Sequence, residues 1–120
     1  MTTKFITFYQ RFAADILSGK KIITIRDAEA NYFESGDVVH AYTFETRELF
    51  AALAVHRIEK LNFEELSNQH AAQENMTLAE LRTIIKQIYP DNCQLYVITF
   101  QNLPLINFHH PISLDMPIAR

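Results

Sequence analysis

The segment Thr77–Pro90 leaves the chain little conformational choice. Thr77 and Glu80 form a T-x-x-E capping box, in which a hydroxyl and a carboxylate satisfy the free amides of a helix start. Leu81, Ile84, Ile85 and Ile88 follow at i, i+3, i+4 and i+7, one apolar stripe, and Pro90 stops the run. A helix is predicted upstream on similar grounds. Asn62 is a cap residue with Glu65 three positions on, and Leu61 is placed to pack on Leu66 as a hydrophobic staple. A third, early helix is read in "QRFAADILSG", where Phe12, Ile16 and Leu17 have helical spacing and Gly19 is placed for a left-handed cap.

Strand-like runs surround these helices: "KFITF" (Lys4–Phe8), the β-branched "KKIITIRD", "VVHAYTFE", "ELFAALAVHRIEKL" and "CQLYVITFQNL". The third and fourth are joined near Glu45–Arg47 as a hairpin, and "AEANYFESGD" reads as a loop closing on a Ser35-Gly36-Asp37 turn. The class is therefore α+β: a small, partly open β-barrel of about five or six strands with two to three flanking helices. Both glycines fall at element boundaries, which excludes a Gly-rich phosphate loop.

At 120 residues one domain is expected, and 48% apolar residues with nine Phe supply a core without disulfides. Cys93 is the only cysteine, so neither an intrachain disulfide nor a four-Cys zinc site can form. We place the domain at residues 1–103 and a Pro-rich extension at 104–120, whose apolar content suggests packing against the body or a neighbour. No apolar run approaches the ~18 residues of a membrane span, and the N-terminus lacks the layout of a signal peptide, so a cytoplasmic protein is expected. The net charge of −3 is uneven: five basic residues face two acidic ones up to Asp27, and six face twelve beyond it. An acidic chain is a poor generic binder of nucleic acid, although a small basic focus can attract a single nucleotide or an RNA end.

That focus contains the candidate chemistry. Strand alternation puts Ile22, Thr24 and Arg26 on one face, so Arg26 could set an anion site beside the Thr24 hydroxyl; equally, Thr is an ordinary strand residue and Arg26 a solvated rim. Lys21 could activate a hydroxyl if desolvation and the neighbouring Lys20 and Arg26 lowered its pKa, or it could be a solvated turn residue. Its parity is opposite to that of Thr24, so a shared site requires Lys21 in the helix–strand turn or on a bulge. Glu74 stands just before the Thr77 cap, where a carboxylate usually serves helix electrostatics and favours its charged form. His40, His56, His70 and His109-His110 match no metal-ligand spacing, and Cys93 reads as a small residue at a strand start. Tyr42, Phe44, Tyr96 and Phe100 read as core.

Two separated blocks, "FYQRFAADILSGKKIITIRD" and "AAQENMTLAELRTIIKQIYP", resemble the small bacterial ASCH-domain proteins of the N(4)-acetylcytidine amidohydrolase family, whose fold is PUA-like. The likeness covers about Met1–Leu103. In that family a lysine and a threonine lie in a K-x-I-T-I-R-D motif, which here runs from Lys21 to Asp27, and a glutamate in Q-E-N-M-T-L, here Gln73–Leu78. The resemblance therefore implies Lys21 as general base, Thr24 as nucleophile and Glu74 as proton donor. Ile22 stands where family members often have a second threonine, leaving Thr24 as the one hydroxyl of the motif. Arg26 or backbone amides are the candidate oxyanion donors.

The implied reaction is hydrolysis of N(4)-acetylcytidine to cytidine and acetate, with neither metal nor other cofactor, acting on a small-molecule nucleoside. A non-catalytic PUA-like RNA-binding module is the alternative; it calls for a basic stripe across several elements, whereas the basic excess here is confined to the N-terminal quarter. An interaction protein using the 104–120 extension to oligomerise is a third reading, and the sequence sets no oligomeric state.

Overall fold

Strand runs and helix signals alternate along the chain, and the structure, a computed structural model that describes residues 4–91 and 94–103, gathers them into one five-stranded sheet and three α-helices. The order is β1 (Lys4–Phe8), α1 (Gln10–Leu17), β2 (Ile23–Arg26), β3 (Val38–Thr43), β4 (Leu49–Asn62), α2 (Asn68–Gln73), α3 (Leu78–Ile88) and β5 (Gln94–Leu103). Cys93, His109-His110 and the Pro-rich extension lie outside the described residues. Among those residues, no helix is long and apolar enough to cross a membrane.

The strands lie in the order β1-β3-β4-β5-β2. β1 runs parallel to β3, from Lys4 opposite Val39 to Phe8 opposite Thr43, and every other pairing is antiparallel. The register shifts at Ala41/Tyr42 between β3 and β4, and at Val55/Arg57 between β4 and β5. Extra residues of this kind bend a strand and increase its twist. The two edge strands consequently approach each other, and Arg26 on β2 donates from Nη2 to the carbonyl oxygen of Thr7 on β1 at 2.8 Å. A side chain thus crosses the gap of the partly open barrel that the sequence predicts.

Alternation along β5 separates two cores. Ile98 and Phe100 join Ile6, Phe8, Ile16, Val39 and Leu53 inside the curl, while Leu95 and Val97 join Ile23 and Ile25 beneath α2 and α3. The α3 stripe meets this second core through the buried Leu81 and Ile85. Burying each such side chain contributes about 1.5–3 kcal/mol.

Two local readings change. The Asn62–Glu65 box forms, but it caps a single 3-10 turn, Phe63–Glu65; α2 starts afresh at Ser67, whose Oγ accepts from the His70 amide. Leu61 and Leu66 do belong to the same apolar cluster. The expected loop after β2 contains a 3-10 turn, Ala28–Tyr32, because the Asp27 carboxylate accepts from the Glu29 amide at 3.0 Å.

Candidate active site

Two helix ends build the site. α1 closes on Gly19 at φ 80°, with its N–H donating to Ile16 O at 3.2 Å and the Lys20 N–H to Asp15 O at 2.9 Å, the paired bonds of a Schellman motif. The Lys21 N–H also reaches Asp15 O, at 3.0 Å, so Lys21 is held in the connector before β2 and off the strand, the placement its parity demanded. α2 closes in the same way on the left-handed Asn75 (φ 58°), with the Asn75 N–H on Ala72 O and the Met76 N–H on Ala71 O. One backbone bond, from Ile22 N–H to Gln73 O at 2.8 Å, ties these turns together.

Lys21 and Glu74 are thereby brought side by side, 3% and 5% exposed, in a salt bridge between Nζ and Oε1. Glu74 is the C-cap of α2, not a residue serving the start of α3; three residues, Asn75 to Thr77, separate it from that helix. Lys21 Nζ also donates to Ile23 O at 2.8 Å and lies 5.8 and 5.2 Å from the ring centres of Phe8 and Phe12. Loss of water around the ammonium pushes the Lys21 pKa below its ordinary value; the nearby Arg26 adds to this and the Glu74 carboxylate opposes it.

Thr24 is buried in mid-β2, and its Oγ1 accepts a hydrogen bond from Arg26 Nε at 2.9 Å. That bond occupies an oxygen lone pair and leaves the hydroxyl proton for another acceptor. Arg26 stacks over Phe8, with Cζ 5.0 Å from the ring centre, and burial lowers its pKa from a value high enough to keep it cationic. Lys21, Thr24, Arg26 and Glu74 all line one cavity of about 490 Å³, within the ~300–1,000 Å³ typical of small-molecule sites. Lys21 Nζ bonds to Glu74 and Ile23, and not to Thr24.

The remaining walls were not legible as such. Phe44, read as core, lines the cavity, as do Phe8, Tyr9, Phe12 and Tyr89, and the α3 stripe closes another side with Leu81, Ile84, Ile85 and Ile88. The signal for α3 was present in its periodicity, but nothing in the sequence told which part of the stripe meets the sheet and which faces open space. Tyr42 and Phe100 are core, as expected. Among the described residues no group of three or more His, Cys, Asp or Glu side chains is placed to hold a metal ion.

No family model matches the chain. It is 50% identical over 93 residues to an N(4)-acetylcytidine amidohydrolase of Haemophilus influenzae, covering 78% of this chain and 89% of that protein. A protein of the same name from Klebsiella pneumoniae is 48% identical over 98 residues, covering 82% and 95%. Among solved structures, an ASCH domain from Lactobacillus crispatus superposes with a TM-score of 0.70 at 13% identity, over 82% of this chain and 79% of that one. The ASCH protein of Zymomonas mobilis gives 0.62 at 12% identity, over 82% and 68%. These likenesses show the fold, and the identity to the enzymes shows the lineage: the chain belongs to the N(4)-acetylcytidine amidohydrolase family, on an ASCH fold.

Proposed function

We propose that this protein hydrolyses N(4)-acetylcytidine to cytidine and acetate, with Thr24 as nucleophile, Lys21 as general base and Glu74 as proton donor. The observation that carries the reading is the buried Lys21–Glu74 pair opening on the same cavity as a threonine held by an arginine.

We read transfer of one proton from Lys21 to Glu74 as the step that readies the site, because it cancels two desolvated charges at once. In the neutral form Lys21 carries a lone pair and Glu74 an acidic proton. Thr24 Oγ attacks the amide carbon as its proton passes to Lys21. The contact between Lys21 and Thr24 closes in the substrate complex, since catalytic hydrogen bonds tighten there. Arg26, already bonded to Thr24 Oγ1, is the cation beside the oxyanion. Collapse breaks the C–N bond as Glu74 gives its proton to the departing exocyclic amine, leaving acetyl-Thr24 and restoring the ion pair. Water then attacks the ester with its proton taken up by the same pair, Thr24 regains its own, and acetate leaves. The cycle uses one water, returns Lys21, Thr24 and Glu74 to their starting states, and releases one proton to solvent with the acetate.

The test is acetate release from acylated nucleosides by wild type and the Lys21→Ala, Thr24→Ala and Glu74→Ala variants. Wild-type turnover abolished by Thr24→Ala is expected; unchanged turnover in Thr24→Ala would remove the nucleophile assignment.

A further inference from the structure

Charge in the cavity wall does not balance. Lys21 and Arg26 are its two cations, whereas Asp27, Glu29 and Glu74 supply three carboxylates, an excess of one negative charge. Glu74 neutralises Lys21 in the buried pair, and Arg26 is turned to Thr24 and Thr7. Glu29 has no part in that arrangement. The Asp27 carboxylate accepts from the Glu29 amide at 3.0 Å and starts the 3-10 turn Ala28–Tyr32. Ala30 and Phe33 are buried in the first core and pin this turn, so Glu29 rides on a fixed piece of backbone with its side chain exposed at the cavity wall. Among the described residues its carboxylate pairs with no cation. A group entering the cavity therefore meets an unmatched anion.

We propose that Glu29 is a specificity-determining residue that selects the acylated nucleoside, or its free base, over the phosphorylated nucleotide. The identity of the base rests on the hydrolytic reading; the discrimination against phosphate rests on the charge of the wall. A phosphate entering this space gives up water for a surface whose cations already face carboxylates. In near-aqueous surroundings, repulsion between a phosphate dianion and one carboxylate about 7 Å away corresponds to roughly 5- to 10-fold in affinity. A cleft with an excess of one sign of charge also lowers the local concentration of like-charged solutes. An order of reactions follows. Where the acylated base begins as part of a nucleotide, hydrolysis of the phosphate ester must come before hydrolysis of the amide.

The test compares wild type with Glu29→Gln and Glu29→Lys on N(4)-acetylcytidine and its 5′-monophosphate at low ionic strength. The readout is the ratio of kcat/KM for the monophosphate to kcat/KM for the nucleoside. Wild type should favour the nucleoside, and Glu29→Gln should raise the ratio about 5- to 10-fold, with Glu29→Lys raising it further. Most of that gain should vanish in about 0.5 M salt, where charges at this separation are screened. Equal use of both compounds by wild type, or a ratio that neither variant moves, overturns the inference. Calorimetric binding of cytidine and cytidine 5′-monophosphate separates this from the reaction itself. If wild type hydrolyses neither amide but binds cytidine about 5-fold tighter than its monophosphate, and Glu29→Lys closes that gap, the hydrolytic reading falls and Glu29 keeps its role. If the gap is the same in wild type and Glu29→Lys, the role of Glu29 falls whatever the turnover.

Discussion

Arg26 Nε stands 2.9 Å from Thr24 Oγ1 while Nη2 of the same guanidinium holds the Thr7 carbonyl at 2.8 Å. One planar fork thus orients the candidate nucleophile and joins the two edge strands. Lysine keeps the charge but cannot serve both acceptors in this geometry. Arg26→Lys should therefore lower kcat for acetate release by ~10²-fold and reduce stability in urea titrations by about 1.5–3 kcal/mol. Wild-type values in both measurements would show that the fork holds neither partner.

Lys21 and Glu74 are buried together, so removing one strands the other. Glu74→Leu should cost about 3–5 kcal/mol, less whatever is recovered when Lys21 sheds its proton. Replacing both residues, as Lys21→Met with Glu74→Leu, should restore most of that stability, because an apolar pair leaves no charge to desolvate. The double variant should be stable and inactive. A double-mutant cycle by urea denaturation checks this, and additive losses would mean that the two side chains are energetically independent.

The lowered pKa of Lys21 fixes the sign of a pH effect. Between its folded value and that of a solvated lysine, the unfolded chain binds a proton that the folded chain does not. Stability should rise with pH across that window and level off once both states are neutral. Turnover should fall on the same limb, because loss of the pair's proton to solvent leaves Glu74 with none to give the departing amine. Lys21→Met should flatten the stability limb; a rise that persists in the variant would belong to another group.

Gly19 sits at φ 80° with nothing within 4 Å of where a Cβ would stand. Gly19→Ala therefore meets only the backbone penalty, about 1–2 kcal/mol. Since the same turn aims Lys21, kcat should fall as well. Asn75→Gly, at the equivalent turn of α2, should keep both stability and activity. Thermal melts and acetate release check the pair, and a fully active Gly19→Ala would separate the turn from the site.

The strands and α3 were readable because their signals are local: alternation, a capping box and a stripe ended by proline. Local geometry also told that Arg26 and Thr24 share a face and that Lys21 must leave the strand. Where two signals overlapped, reading failed. The Asn62–Glu65 box drew the helix start too early, because Ser67 caps five residues later with His70 in the place where Glu or Gln normally reveals a box. Glu74 was assigned to the wrong helix end for the same reason: Asn75 is left-handed without being glycine, so α2 ends with no obvious mark. The meeting of Lys21 with Glu74 depends on the Ile22–Gln73 backbone bond, which links positions fifty-one residues apart and leaves no trace in either local pattern. Tyr89 and Phe44 became cavity walls only through the placement of α3 and of the β3–β4 turn against β1 and β2.

A sheet of five strands has two edges, and an edge is normally a hazard to be covered or paired. In this protein Thr7 and Phe8 of β1 and Thr24, Ile25 and Arg26 of β2 line the cavity on either side of that unpaired stretch, so we read the break in the hydrogen-bond ladder as its doorway. Sealing it with a backbone ladder would make a tighter barrel and leave Thr24 enclosed. Arg26 is a hinge pin across that doorway, strong enough to hold the frame and narrow enough to leave it passable.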